Sequence, residues 1–166
     1  MFLLRGVLCV LFAATVVLAP GVSAQQDTGP STDLTLTGAV NDEVTGSDGN
    51  ACFTDGAAFH AQLAGATTTS ILSIDLSSTT PGTYQLSPSG GPKLTMLSLS
   101  DDPNEVFVNW YPKAGTLTIT SLDSQVPVGD GSASTKGATG AIDADLSADK
   151  HGTFHVSGAW ACHMPF

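Results

Sequence analysis

Short stretches in which apolar and polar residues alternate recur along the chain, and turns rich in Gly, Pro, Asn or Asp separate them. In the last stretch, Phe154, Val156, Trp160 and Cys162 fall on one face, with Gly158 between them. Because side chains of a strand alternate between two faces, this pattern predicts a half-buried strand. Its inner face carries heavy side chains, so we expect the rest of the fold to pack against it.

About eight to ten such stretches follow one another, with turn signals every 8–12 residues or so and no convincing long helix. This pattern is typical of antiparallel sandwiches and barrels. We therefore predict an all-β fold over residues 33–166, either a single antiparallel β-sandwich or a half-open barrel. Residues 57–63 would also suit a helical turn, but their alternation favours a strand. Residues 124–137 are rich in Ser, Thr and Gly and are expected to be loose.

Residues 1–24 have the layout of a secretory signal peptide. Arg5 supplies a positive charge, an apolar segment follows, and residues 22–24 offer small side chains to a signal peptidase. An uncleaved anchor is the competing interpretation. Residues 25–32 are polar and are expected to form a flexible leader. No later segment approaches the roughly 18–20 apolar residues of a membrane span. We therefore expect a secreted, periplasmic or cell-envelope protein with no membrane span after cleavage.

The expected mature chain is strongly acidic. Loss of Arg5 leaves four lysines against fifteen Asp and Glu residues, so the formal charge changes from −10 to −11. Such a chain should repel nucleic acid and anionic lipid. The absence of arginine also removes the usual bidentate anchor for phosphate or carboxylate ligands. Nucleic acid is therefore not expected among its partners.

Two cysteines, Cys52 and Cys162, remain once Cys9 leaves with the signal peptide. An even pair in a small exported domain most simply forms one disulfide. The loop that it would close is long, so chain entropy predicts a stabilisation of about 4–5 kcal/mol. The alternatives are two buried free thiols or a redox-active pair, and the lack of a Cys-x-x-Cys motif argues against the latter.

Motifs for catalysis or metal binding are incomplete. The sequence has no Gly-x-Ser-x-Gly elbow, phosphate loop or dinucleotide fingerprint. His151 and His155 would lie about 13 Å apart in a strand, too far for one zinc ion, although a hairpin at His151 could bring it closer to His155 or to an acidic neighbour. Residues 143–149 begin like a calcium loop but lack its glycine and terminal glutamate. We predict no catalytic residues, no metal and no cofactor.

The best candidates for ligand binding are the aromatic residues Phe107, Trp110 and Tyr111. Exposed aromatic side chains stack on sugars and fill pockets at interfaces, although core packing is the alternative. Both faces of this stretch are bulky, so it could be buried on both sides or expose an aromatic edge. Tyr111 precedes Pro112 and is expected to be the most exposed, whereas Trp160 is expected in the core.

Four segments in the second half of the domain resemble small exported bacterial β-domains, which are often lipid-anchored. They are PGTY at 81–84, GTLTITSLD at 115–123, GAIDA at 140–144 and VSGAWAC at 156–162. An early cysteine paired with one in the last strand is similar to the mycobacterial 19-kDa lipoprotein antigen group. The chain departs from that group because it lacks a lipobox cysteine. The resemblance implies a surface or extracellular accessory role and no catalytic residues.

We therefore expect an exported, non-enzymatic module that binds an extracellular or cell-envelope partner. One alternative is a carrier of a small apolar ligand, with a cavity lined by Leu72, Ile74, Val108 and Ile119. The other is a small secreted hydrolase, which would need a cleft with a histidine and a carboxylate within hydrogen-bond reach.

Overall fold

The computed structural model describes residues 29–46, 48–64, 70–100, 104–129 and 131–164, and the expected signal peptide (1–24) lies outside them. The described residues form ten β-strands, which confirms the prediction of an all-β fold. The strands are β1 (Thr32–Gly38), β2 (Asp42–Gly46), β3 (Ala51–Asp55), β4 (Ala58–Ala64), β5 (Ile71–Leu76), β6 (Gly82–Leu86), β7 (Lys93–Leu99), β8 (Phe107–Val128), β9 (Ala133–Ala148) and β10 (Gly152–His163).

Seven strands form a closed circuit of hydrogen-bonded neighbours, in the order β10-β3-β4-β5-β7-β8-β9 and back to β10. The pairing is therefore that of a closed barrel. β1 and β2 extend from β10 as a separate ribbon, and β6 pairs with β8. All of these pairings are antiparallel except β3–β10, which is parallel and has a single residue pair, Ala51 with His163.

Long strands allow one chain segment to serve two parts of the sheet. β8 has 22 residues and β9 has 16, and they pair with each other along most of their length. On its other side, β8 pairs first with β7 and further along with β6. The barrel strands β7 and β9 and the added strand β6 therefore all pair with β8.

The prediction that residues 124–137 are loose was wrong for most of the segment. β8 continues to Val128, β9 begins at Ala133, and Val126 pairs with Thr135. The Ser and Thr residues suit an exposed strand, and Val126 turns inward with no exposed surface. The turn itself is confined to the short segment between the strands.

Two other strand predictions were confirmed. Residues 57–63 lie largely in β4, which points Phe59, Ala61 and Leu63 inward. In β10 the face that carries Phe154 and Trp160 is buried as the alternation indicated. β1 begins at Thr32, which is almost fully buried, so the last residue of the predicted leader belongs to the first strand.

The core contains a Trp160 indole that packs against the Phe59 ring, with centroids 6.0 Å apart. The indole also lies over the backbone of Gly140, where a methyl group would come within 2.4 Å of the ring. The same methyl group would lie 2.0 Å from the Thr118 carbonyl oxygen. Glycine is therefore required at this position because the barrel interior is filled to contact distance.

The disulfide between Cys52 and Cys162 lies beside the single residue pair that joins β3 to β10. Both cysteines are fully buried, their Cα atoms are 5.7 Å apart, and 110 residues separate them in sequence. The predicted disulfide is therefore present. It links the two strands of the circuit that share the shortest ladder, and we call this junction the seam.

Asn50 ties several strands together beside the seam. Its side-chain nitrogen lies 2.7 Å from Thr32 Oγ1, 3.0 Å from the Gly46 carbonyl oxygen and 3.1 Å from that of Ala161. Its side-chain oxygen accepts a hydrogen bond of 2.8 Å from the Ala64 backbone N–H. The residue is 2 % exposed, so these bonds replace water completely.

No helix in the described part of the chain is long and apolar enough to cross a membrane.

Candidate binding site

The three aromatic candidates on β8 do not share one surface. Phe107 and Tyr111 lie on the outer face, where they are 48 % and 57 % exposed. Trp110 points into the barrel and is 3 % exposed. The structure therefore leaves Phe107 and Tyr111 accessible to a partner and does not bring Trp110 to the surface with them.

Trp110 forms part of the core below this surface. Its indole N–H donates a hydrogen bond of 2.9 Å to Ser98 Oγ on the neighbouring strand. Its ring meets the Phe154 ring edge-on, with centroids 5.0 Å apart and an interplanar angle of 83°. It also contacts the His151 ring edge-on at 6.2 Å. Trp110 thus supports His151 from the inside of the barrel.

The position of Tyr111 follows from the proline beside it. A residue before proline is held in an extended conformation, and proline cannot donate a hydrogen bond to the ladder. Tyr111 pairs with Ser147 and Pro112 with Leu146, after which the register shifts before Ala114. Bulges of this kind redirect side chains at the surface of a sheet. Tyr111 is therefore an exposed ring on a constrained strand that is paired with β9.

Two clefts lie on either side of Tyr111. The first, here the loop cleft, is formed by residues 87–95 together with Tyr111 and Pro112, and its volume is about 530 Å³. The second, here the hairpin cleft, has a volume of about 380 Å³. Pro88, Tyr111 and Pro112 line both clefts, so the two clefts adjoin at these residues.

Polar side chains line the hairpin cleft. His151 Nε2 lies 2.9 Å from Glu105 Oε2, and the two side chains are 27 % and 45 % exposed. Asn109, Ser147 and Asp149 also line this cleft. The cleft thus offers amide, hydroxyl, carboxylate and imidazole groups beside one aromatic ring, which is the usual composition of a site for a polar organic ligand.

The His151–Glu105 pair meets the geometric condition stated above for a small hydrolase. A histidine oriented by a carboxylate is half of a general-base arrangement, because it still needs a hydroxyl or a water molecule to activate. Within the described residues, the hydrogen-bond partner of the His151 ring is Glu105. The pair can therefore orient a ligand hydroxyl or, with a suitable nucleophile, remove its proton.

Two further histidines face carboxylates on the outer surface. His60 Nδ1 lies 2.7 Å from Asp75 Oδ1, and the His60 ring stacks on Phe53 at 4.8 Å. His155 Nδ1 lies 3.0 Å from Asp145 Oδ1. The described residues contain no group of three or more His, Cys, Asp and Glu side chains placed to hold a metal ion.

An exposed apolar patch adjoins Phe107 at the end of the β7–β8 pair. Leu99 is the cross-strand partner of Phe107 and is 51 % exposed, and Val106 is 69 % exposed. Exposed apolar residues that cluster in this way mark interaction surfaces more often than single ones do. The outer face of β8 therefore carries an apolar patch at Phe107 and an exposed aromatic ring beside two clefts at Tyr111.

The residues expected to line an internal ligand cavity lie in the barrel interior. Leu72, Ile74, Val108 and Ile119 belong to one buried cluster and are between 0 % and 4 % exposed. Val108 also lines the hairpin cleft. The carrier function stays an alternative prediction.

Sequence reasoning missed Glu105, Asn109 and Pro88 as members of the site. Glu105 lies 46 residues before His151 in the chain, and only the pairing of β8 with β9 brings them together. The one available signal was the position of His151 in a predicted hairpin, which left open whether its neighbour would be His155 or an acidic residue.

Comparisons with protein-family models, with curated proteins and with solved structures give no match. The resemblance to exported bacterial β-domains and to the 19-kDa lipoprotein antigen group therefore remains a prediction. The disulfide is consistent with an oxidising extracellular or periplasmic compartment.

Proposed function

We propose that this protein is an exported, non-enzymatic binding module that attaches to an extracellular or cell-envelope partner through the outer face of β8. The observation that carries the proposal is the exposure of Tyr111 on a constrained strand, between two clefts of about 530 and 380 Å³. Rigid aromatic side chains of this kind supply much of the binding energy at recognition sites.

The surrounding structure supports this proposal in two ways. β8 pairs with β7 up to Trp110 and with β9 from Tyr111 onward, so the backbone that carries the ring is held without help from a ligand. Preorganised sites bind better because little conformational entropy is lost. The high negative charge of the chain favours solubility outside the cell and disfavours attachment to anionic surfaces by charge alone.

Binding of the labelled protein to an envelope preparation from the source cells tests this function. Tyr111→Ala should weaken binding about tenfold or more, since exposed aromatic anchors contribute on the order of 1.4 kcal/mol or above. Phe53→Ala is the matched control, because Phe53 is 52 % exposed on the outer face of β3 and lies outside both clefts. Equal losses for the two variants, or no binding by the unmodified protein, would contradict the proposal.

A small secreted hydrolase is the second candidate, favoured by the 2.9 Å contact between His151 and Glu105 in the hairpin cleft. Its test is hydrolysis of chromogenic esters and glycosides by the purified protein. An enzymatic role requires activity that His151→Ala abolishes and His60→Ala preserves. His60 is the appropriate control because it also faces a carboxylate but belongs to a different cleft.

A further inference from the structure

We propose that the Tyr111 site binds a neutral oligosaccharide, with sugar units in both clefts and one unit lying on the Tyr111 ring. This inference rests on the proposed function and specifies the chemical class of the partner. It follows from the shape of the site, from the groups that line it and from its charge.

The shape favours an elongated ligand. The loop cleft and the hairpin cleft adjoin at Pro88, Tyr111 and Pro112, which line both, and the Tyr111 ring is exposed there. Each cleft has a volume within the range of about 300–1,000 Å³ that is usual for small-molecule sites. A ligand that occupies both must pass over the exposed ring, so a chain of several units fits better than one compact molecule.

The lining groups match the chemistry of a sugar. A pyranose presents a face of C–H groups that can pack on an aromatic ring, and a rim of hydroxyl groups that both donate and accept hydrogen bonds. The ring is supplied by Tyr111. The amide of Asn109 both donates and accepts, the Asp149 carboxylate accepts, and the Ser147 hydroxyl can do either. A hydroxyl-rich ligand can use all of these groups, whereas a hydrocarbon ligand would leave them unpaired.

A peptide added to the sheet as an extra strand fits less well. Such recognition needs an open strand edge, because the peptide forms backbone hydrogen bonds with it. Near Tyr111, β8 pairs with β7 as far as Trp110 and with β9 from Tyr111 onward. The backbone edge that remains unpaired on either side is short, which favours a ligand held by side chains.

The charge of the site favours a neutral ligand. Glu105 and Asp149 line the hairpin cleft, and Lys93 is the cation in the loop cleft. The sequence after residue 24 contains no arginine, the residue that most often pairs with acidic groups of a ligand. An anionic polysaccharide would therefore meet repulsion from the hairpin cleft and from the chain as a whole.

The test uses polysaccharide from the same source-cell envelope, digested with protease and freed of charged polymers by anion exchange. We expect the full protein to bind this neutral fraction, and Tyr111→Ala to weaken binding about tenfold or more. Tyr111→Phe keeps the ring and should stay within about threefold, since stacking does not need the hydroxyl group. Asn109→Ala should weaken binding several-fold, and Phe53→Ala should leave it unchanged.

Two results would overturn the inference while leaving the proposed function intact. One is Tyr111-dependent binding to intact envelopes that protease treatment removes, because the partner would then be a protein. The other is Tyr111-dependent binding to the charged fraction in place of the neutral one. Loss of binding to the neutral fraction after periodate oxidation of its vicinal diols is the expected supporting result. Absence of Tyr111-dependent binding to any envelope preparation would instead overturn the proposed function itself.

Discussion

Trp110 and Tyr111 are neighbours in β8, yet the indole is 3 % exposed inside the barrel and the phenol is 57 % exposed outside it. This follows from the alternation of side chains along a strand. One residue stabilises the fold from within, and the next is available to a partner. Mutations at the two positions should therefore affect different properties of the protein.

Trp110→Ala should lower the free energy of unfolding by about 3–5 kcal/mol, because it removes a buried aromatic side chain and leaves Ser98 without its indole donor. Tyr111→Ala should change it by about 0.5 kcal/mol or less, as is usual for exposed positions. Urea denaturation followed by circular dichroism measures both values. Similar losses for both variants would contradict the assignment of Trp110 to the barrel interior and of Tyr111 to the outer surface.

The disulfide should contribute a large part of the stability. Replacing both Cys52 and Cys162 by alanine should lower the free energy of unfolding by about 4–5 kcal/mol, since the unfolded chain regains the entropy of a long loop. Denaturant titration of the oxidised protein and of the double variant tests this. Reductant should destabilise the original protein and leave the double variant unaffected, which controls for other effects of the reductant.

Loss of the disulfide should weaken the hydrogen bonds at the seam more than those elsewhere in the barrel. The His163 backbone N–H donates a 3.1 Å hydrogen bond to the Asn50 carbonyl oxygen, beside the only residue pair between β3 and β10. In the double cysteine variant, hydrogen exchange at this amide should accelerate more than at amides of the β9–β10 ladder. Uniform acceleration across both regions would show that the disulfide stabilises the barrel globally and not the seam in particular.

Asn50→Ala should lower the free energy of unfolding by about 2–4 kcal/mol. The substitution removes the buried bonds to Thr32 and Ala161 and leaves the partly buried Ala64 N–H without its side-chain acceptor. Asn41→Ala is a suitable control, because Asn41 bonds the backbone of Gly38 at an exposed turn. Thermal unfolding of the two variants distinguishes a buried side chain with several hydrogen bonds from one at a surface turn. An equal decrease in Tm for both variants would contradict this role for Asn50.

Gly140→Ala should destabilise the protein by about 1–3 kcal/mol or more, because the added methyl group overlaps the Trp160 ring and a backbone oxygen. The same substitution at Gly90 meets nothing within 4 Å and should change stability by about 0.5 kcal/mol or less. Denaturation midpoints of the two variants test how tightly the barrel interior is filled. Full tolerance at Gly140 would show that Trp160 can move away from this strand.

Local patterns in the sequence were enough to predict much of the fold. Alternation identified the buried face of β10 and the strand at β4, because the period of two is a property of each strand alone. The cysteine pair was identified from its number and from the expected compartment. The expected exposure of Tyr111 was confirmed as well.

Contacts between distant strands could not be read from the sequence. The closed circuit depends on a single residue pair between β3 and β10, and no local pattern marks Ala51 or His163 for it. The orientation of Trp110 was equally ambiguous, since both faces of that stretch are bulky. The partnership of His151 with Glu105 arises only when the β9–β10 hairpin is placed beside β8.

The most direct test of the binding site is a map of backbone amide chemical shifts when the envelope partner preparation is added to the isotope-labelled protein. The largest changes should fall around Tyr111, at Asn109, in residues 87–95 and in the β9–β10 hairpin near His151. The amides near Phe53 on the outer face of β3 should not change. Changes centred instead on the β1–β2 ribbon or on the Phe53–His60 cleft would contradict the assignment of this surface.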